Sequence, residues 1–360
     1  MTEFKINRKS KKIKNKKIWL IVMSFNIVLL TIAILILFRL YRILMMSNIF
    51  TNGKEEISLY IPTNADFSTV KDSLYSKDLI IHKNDFEWYA KKRNYCQYVK
   101  PGHYVLSDGM TTHELINMLN LGHQTPVQVV FNNIRTKEQF AARISEQIEA
   151  DSSSIIEAAL HDEELISRGF NDNNIACLFI PNTYEFYWNT DATEFIDRMK
   201  TEYDIFWNNE RLKKAENLDL TPIEVSILAS IVDKETLKIE EMPRIAGVYL
   251  NRLKRNWALQ ADPTLVFAVG DFSITRVLDV HKKVESPYNT YKYRGLPPGP
   301  ICIPSISAID AVLNAENHKY LYFCAKEDLS GYHNFAKTIS EHNRNAEKYR
   351  KALDNRKIWK

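Results

Sequence analysis

From Ile18 to Phe38 run 21 residues interrupted only by Ser24, Asn26 and Thr31 and carrying no charge. At about 1.5 Å per residue a helix of that length crosses the roughly 30 Å hydrocarbon layer, so residues 18–38 are expected to form a transmembrane helix in contact with lipid. A cleaved signal peptide would end in small residues, whereas Arg39, Leu40, Tyr41 and Arg42 follow directly, as in a retained anchor. Eight basic residues between Lys5 and Lys17 outweigh Arg39, Arg42 and Lys54 on the other side. The positive-inside rule then leaves the basic tail, residues 1–17, in the cytoplasm, puts Trp19 and Tyr41 at the two interfaces and sends everything after the helix outward. The expected location is the cytoplasmic (inner) membrane, crossed once.

The net charge of +4 over 360 residues belongs to that tail. Beyond residue 17 there are 40 basic and 43 acidic residues, a net −3, with no basic stripe of the kind a phosphate backbone needs, so no nucleic-acid partner is expected. The remaining length is enough for two domains with a sizeable core. Cys96, Cys177, Cys302 and Cys324 form no CxxC pair and are expected to be free, buried thiols. The nine histidines show no HExxH spacing, so neither a metal nor another cofactor is expected.

After a short tether, a strand at 56–61, helices at 67–79 and 85–95, a strand at 104–106 and a helix opened by the Thr111/Glu114 capping box and closed by Gly122 make a small α+β module over 55–122. A larger α+β domain is expected over 123–353. It starts with a strand at 127–131, continues through helices from Thr136, around 154–159 and at 193–209, and holds an aromatic-rich loop at 179–186. Thr221, Pro222 and Glu224 supply a cap, a first-turn proline and an acid for a helix from Pro222 to about Leu237. Further helices are expected from Pro243 to Leu253 and from Pro263 to Gly270, the latter with Asp262 as its cap. The segment 286–304, with five prolines and three tyrosines, is expected as a binding loop. A helix at 305–315, a buried strand at 320–325 and a polar helix capped by Thr338 and Glu341 complete the chain.

On the Pro222 helix the residues three, four and seven before Glu235 are Val232, Ile231 and Leu228, so its carboxyl leaves from the apolar face. Burial there disfavours the charged form and raises the pKa, as a general acid near neutral pH requires. The same pattern fits a helix-end glutamate with its head in water, and pattern alone does not decide between the two. Asp233 instead follows Ser230, Ala229 and Ser226, a small, polar face.

Ala229-Ser-Ile-Val-Asp-Lys-Glu-Thr236, Leu259-Gln-Ala-Asp-Pro-Thr264, Pro287-Tyr-Asn-Thr-Tyr291 and Gly295-Leu-Pro-Pro-Gly-Pro-Ile301 closely resemble the motifs of the YceG-like (MltG) endolytic murein transglycosylases. The likeness extends to Val248-Tyr-Leu-Asn-Arg-Leu253, Pro181-Asn-Thr-Tyr184 and His333-Asn-Phe335, and so covers nearly the whole chain. It implies a LysM-like module at 55–122 and a catalytic domain after it. It also implies cleavage between N-acetylmuramic acid (MurNAc) and N-acetylglucosamine (GlcNAc) within glycan strands, ending nascent strands during wall synthesis. The catalytic glutamate of the family corresponds to Glu235, the residue that the helical face singles out. Peptidoglycan strands are the implied partner, with membrane-bound peptidoglycan synthases as candidates. Asp233, often Glu in relatives, and Asn182, often Asp, depart from the family pattern, so no acid/base role is carried over to either.

Gln260 and Asn289 offer both donors and acceptors, and Tyr184, Tyr288 and Tyr291 offer flat apolar faces with a polar tip, so with Asp262 they are the expected substrate contacts. Helix capping for Asp262 and ordinary packing for the tyrosines are equally open readings. His333 fits either a structural role or a place near the cleft, and Pro297-Pro298-Gly299 shapes its loop. Two rival functions remain, a hydrolytic muramidase and a non-catalytic wall-binding scaffold for synthases. A glutamate on an apolar face beside sugar-type motifs argues against the scaffold.

Overall fold

The computed structural model describes residues 3–274 and 276–355, with side chains from residue 16 onward. The side chains of Lys5 to Lys14 in the basic tail thus lie outside the described residues. Helix α1 (Glu3–Met45) carries the apolar stretch. An 18-residue window between Lys16 and Met45 has a mean hydropathy of 2.9 and is not buried against protein, so by length and composition the helix can cross a membrane. The chain divides into two compact units, Met1–Pro126 with Tyr187–Asn189 and Val127–Phe186 with Thr190–Lys360.

In the first unit β1 (Glu56–Ile61) pairs antiparallel with β2 (Gly102–Ser107), Glu56 opposite Ser107. Leu59, Ile61, Tyr104 and Leu106 point into the core, the period of two that a half-buried strand requires. Between the strands lie α2 (Phe67–Tyr75) and α3 (Lys83–Lys92). Helix α2 stops four residues before the expected Leu79, because Asp78 takes a left-handed φ of +51° and turns Leu79 back into the core. Helix α4 (Thr112–Leu121) has the expected capping box and ends at Gly122, whose φ of +72° suits glycine.

The residues expected as a tether are instead built into this unit. Arg39 and Arg42, one helical turn apart on α1, converge on the buried Asp85 of α3: Arg39 Nε donates to Oδ1 at 3.0 Å, and Arg42 Nη2 lies 2.6 Å from Oδ2. The second contact is an ion pair without hydrogen-bond alignment, so Arg42 Nε and Asp85 Oδ2 have no hydrogen-bond partner among the described residues. Ile43 is fully buried, and bridges Ser47–Thr111 and Ile49–Ile80 fasten the following residues.

The second unit opens with β3 (Val127–Val130), then α5 (Lys137–Ser145), α6 (Ser152–Leu160) and the short α7 (Glu163–Ser167). Strand β4 (Thr183–Phe186) pairs antiparallel with β3, so the expected aromatic loop ends in a strand with Tyr184 and Phe186 inward and Thr183 and Glu185 outward. Helices α8 (Ala192–Phe206) and α9 (Asn209–Glu216) lead to α10 (Pro222–Glu235), which starts with the expected capping box and N-terminal proline. Val225, Leu228, Ile231 and Val232 are fully buried, each contributing roughly 1.5–3 kcal/mol. Ser226, Ala229 and Ser230, the small face, are buried as well. That face receives a neighbouring segment: Ile301 N donates to Ser230 Oγ at 3.0 Å and Ser305 Oγ to Asp233 Oδ1 at 2.5 Å.

Helix α11 (Met242–Lys254) packs on α10, and α12 (Asp262–Val269) follows. Apart from a 3-10 turn at His281–Lys283, the described residues between α12 and α13 (Ile306–Leu313) carry no helix or strand. Strand β5 (Tyr322–Ala325) pairs with β6 (His333–Ala336), and α14 (Ile339–Asn355) packs on both. Residues 322–325 are half-buried rather than buried, because all four also line a hollow. The four cysteines are free, Cys177 and Cys302 buried, Cys96 and Cys324 half-buried.

Candidate active site

Glu235 is the last residue of α10, held where the helix leaves the core. Two adjoining hollows of about 620 and 440 Å³ both have Glu235 and Asp262 in their walls, so they are the two halves of one cleft with two carboxyls at the junction. By surface area Glu235 is partly exposed to this cleft, yet protein closely surrounds it. Burial pushes its carboxyl up to about 7, and the negative charge of Asp262 adds to the rise. The Tyr249 hydroxyl and Arg252 pull the other way. Tyr249, on α11 and fully buried, donates its hydroxyl proton to Glu235 Oε1. Burial and the neighbouring Glu235 raise the phenol well above its ordinary value, so it stays a donor. With Oε1 occupied as an acceptor, a neutral Glu235 carries its proton on Oε2.

Of the residues expected from the sequence, the structure brings Gln260, Asp262 and Tyr291 to the cleft beside Glu235. Asp262 does not cap its helix. It is the first residue of α12, with Ala261 at the cap position, and its Oδ1 accepts from the Tyr291 hydroxyl at 2.5 Å. Burial, then Asp262, holds the Tyr291 phenol above its usual range. Gln260 sits at a left-handed φ of +47°, unusual for a residue with a side chain, pinned by its backbone N–H to Thr290 O at 3.0 Å.

Three expected contacts lie elsewhere. Asn289 is fully buried and committed to its own loop, with Nδ2 donating to Lys282 O at 3.0 Å and Val284 O at 2.9 Å while Oδ1 accepts from Tyr291 N. It supports the segment that carries Tyr291. Tyr288 packs against Phe267 with ring centroids 4.7 Å apart and faces a different hollow. Burial raises its phenol to about 12. Tyr184 is a core residue, stacked on Phe131 and donating to Ile180 O at 2.6 Å.

Tyr249 and Arg252 join the site without having been singled out, and His333, open between a structural role and a place near the cleft, lies in the cleft wall. Tyr249 and Arg252 stand three apart on α11, so one helical face delivers both. Their spacing within Val248–Leu253, beside a helix bearing the acid, was the available signal. Arg252 Nε donates to Leu321 O at 2.7 Å and its Nη1 to Leu259 O, tying β5 to the Gln260 turn across the cleft floor. His333 lines the cleft, with Nδ1 2.7 Å from Oε2 of the buried Glu241, whose Oε1 accepts from His333 N at 2.9 Å. Asp233 turns from the cleft to hold Ser305. Among the described residues no three His, Cys, Asp or Glu side chains gather as a metal site requires.

The sequence profile of the YceG-like family matches residues 59–348. A Bacillus subtilis protein named endolytic murein transglycosylase is 30% identical over 315 residues, covering 83% of this chain and 86% of its own. A Streptococcus pneumoniae protein of the same name is 28% identical over 328 residues, covering 82% of this chain and 58% of its own. A crystal structure of a YceG-like protein from Listeria monocytogenes superposes with a TM-score of 0.54 at 28% identity, over 81% of this chain and 99% of that one. The chain belongs to the YceG-like family.

Proposed function

We propose that this chain is an endolytic murein transglycosylase, which cuts MurNAc–GlcNAc bonds inside peptidoglycan strands and leaves 1,6-anhydro-MurNAc ends. The observation that carries this reading is Glu235: a carboxyl raised to about 7, hydrogen-bonded by Tyr249, at the junction of a cleft in a chain whose relatives bear that name. Neutral Glu235 gives its Oε2 proton to the glycosidic oxygen as the C1–O bond breaks. The carboxylate then takes the proton of the muramic C6 hydroxyl, whose oxygen bonds to C1. The proton is back on Glu235, no water is consumed, and one carboxyl serves both steps because the second nucleophile is intramolecular. Gln260, Tyr291 and Asp262 contact the sugars in this scheme.

A second reading, hydrolysis by a muramidase, is favoured by one feature: Asp262 is a second carboxyl in the same cleft, as enzymes that activate water require. Mass spectrometry of digested strands separates the two. Ring closure leaves fragments one water lighter and without a reducing end, whereas exclusively reducing muramic ends would overturn the transglycosylase reading and keep Glu235 as the acid.

The first unit, with its own core and its strand–helix–helix–strand order, serves as a LysM-like glycan-holding module, residues 55–122, ahead of a catalytic domain over 123–353. Helix α1 anchors both in the cytoplasmic membrane with the N-terminus inside, supported by its apolar surface and the charge imbalance across it. Membrane-bound synthases making the same strands are the fitting protein partners.

A further inference from the structure

The two halves of the cleft differ in chemistry. On one side of the carboxyl junction stand Tyr291, Tyr322, Phe323, Gln260 and His333, the mixture of flat faces and hydrogen-bonding groups that suits neutral sugar rings. On the other side, around the larger hollow of about 620 Å³, stand Arg135, Lys234, Arg276 and Arg350, with only Glu235 and Asp262 as acids. These four cations come from separate places in the chain: the loop after β3, the end of α10, the loop after α12, and α14. Glu235 is neutral when poised to donate, so the excess of positive charge in this half is then larger still.

The contacts of Arg135 and Arg350 leave most of their guanidinium hydrogens available. Lys234 Nζ binds Asn133 Oδ1 at 3.0 Å and Asp233 Oδ2 at 3.2 Å and also bonds the Cys302 thiol, so it lends the wall charge rather than a free hydrogen. Arg135 stacks its guanidinium over the Phe272 ring at 4.4 Å, which supports the plane and leaves the hydrogen-bonding edge open. Arg350 is exposed, and its Nε makes a long, 3.4 Å bond to Ala346 O on its own helix. A neutral polysaccharide has no use for such a wall. The peptide attached through the lactyl group of muramic acid does, because it carries free carboxylates and branches from the sugar beside the bond to be cut.

We propose that this half of the cleft is a subsite for the carboxylates of the muramic-linked peptide, so that the enzyme selects peptide-bearing glycan strands over bare ones. The inference rests on the proposed peptidoglycan-cutting function. Arg350 and Arg135 are the principal donors, since guanidinium groups can grip a carboxylate through two parallel hydrogen bonds.

The test uses the full chain in detergent micelles and three substrates: strands with free peptide carboxylates, the same strands with those carboxylates amidated, and strands stripped of peptide by an amidase. Wild-type kcat/KM is expected to be roughly three- to tenfold higher on the first than on the other two, from one or two charge-assisted contacts. In Arg350→Glu that ratio falls to about one or inverts, and Arg350→Lys retains part of it. Arg135→Gln lowers it in the same direction and guards against a defect private to α14. Equal wild-type rates on all three substrates, or unchanged ratios in Arg350→Glu and Arg135→Gln, overturn the subsite while leaving the cutting activity in place. Preference for amidated strands equal to that for charged ones overturns it too, because bulk and not charge would then be recognised. Failure of the folded wild type to cut any of the three overturns the function itself and the subsite with it.

Discussion

Glu235 stands at the junction of the cleft with one oxygen engaged by Tyr249, and that bond makes two opposed predictions. Glu235→Gln keeps the size of the side chain and still accepts from Tyr249, but it can neither give nor take a proton. Release of fragments from glycan strands should fall by at least about a thousandfold with the circular dichroism spectrum unchanged. A rate within a few fold of wild type would mean the residue is only a solvated helix end. The substitution should also stabilise the fold in a pH-dependent way. The folded carboxyl titrates near 7 against an ordinary 4.5, so charging it opposes folding increasingly as pH rises through that window and not at all below it. Removing the charge should raise the melting temperature by roughly 2–4 °C above pH 7, for about 1 kcal/mol, and bring no gain below pH 4.5. Tyr249→Phe does the reverse to the acid. Its hydroxyl lowers the Glu235 pKa, so its loss should move the alkaline limb of the pH–rate profile upward while kcat drops about tenfold from poorer positioning. A profile that keeps its alkaline limb in place would leave Tyr249 as a packing residue.

Helix α10 does its work by being buried on two faces at once, one apolar and one small. Asp233 closes the second face: Oδ1 accepts from both Ser305 Oγ and Ser305 N, and Ser305 in turn caps α13. Asp233→Ala should therefore cost about 1–2 kcal/mol in thermal unfolding, the usual value of a lost cap and its hydrogen bonds, while kcat stays within a few fold. Loss of activity equal to that of Glu235→Gln would place Asp233 in the chemistry instead. The start of α10 was legible in the sequence because Thr221, Pro222 and Glu224 act locally, and so was the direction of the Glu235 side chain, because helical spacing dictates it. Burial of the Ser226–Ser230 face was not legible, since small polar residues look the same beside water as beside a packed segment. The β4 strand was missed for a related reason: four residues alternate too briefly to reveal a partner some fifty residues earlier. Tyr184, Tyr288 and Asn289 are chemically as suited to sugars as Tyr291 and Gln260. Only the long-range path of the chain decides that the first three serve core and loop, and the last two the cleft.

At the scale of the molecule, the apolar stretch and the first unit are joined by one helix. Phe38 and Met45 lie on the same α1, about 10 Å apart along its axis, and the Arg39 and Arg42 pairs with Asp85 fix the last turns to α3. With residues 18–38 in lipid, the proposed topology would hold the small unit close to the outer surface. Such an arrangement requires the N-terminus to stay in the cytoplasm, which the charge distribution favours: eight basic residues before the span against Arg39, Arg42 and Lys54 after it. The two arginines nearest the span are moreover engaged with Asp85, a folded-state contact that forms only once the chain beyond the helix has been placed. An alkaline phosphatase fused after Lys360, which leaves both units whole, should therefore be active in intact cells, and a reporter that works only in the cytoplasm should be silent at the same position. Replacing the basic residues between Lys5 and Lys17 by glutamine should lower the exported fraction, because it erases the imbalance that orients the helix. A cytoplasmic reporter active at the C-terminus of the unaltered chain would overturn the orientation, and with it any access of the cleft to the cell wall.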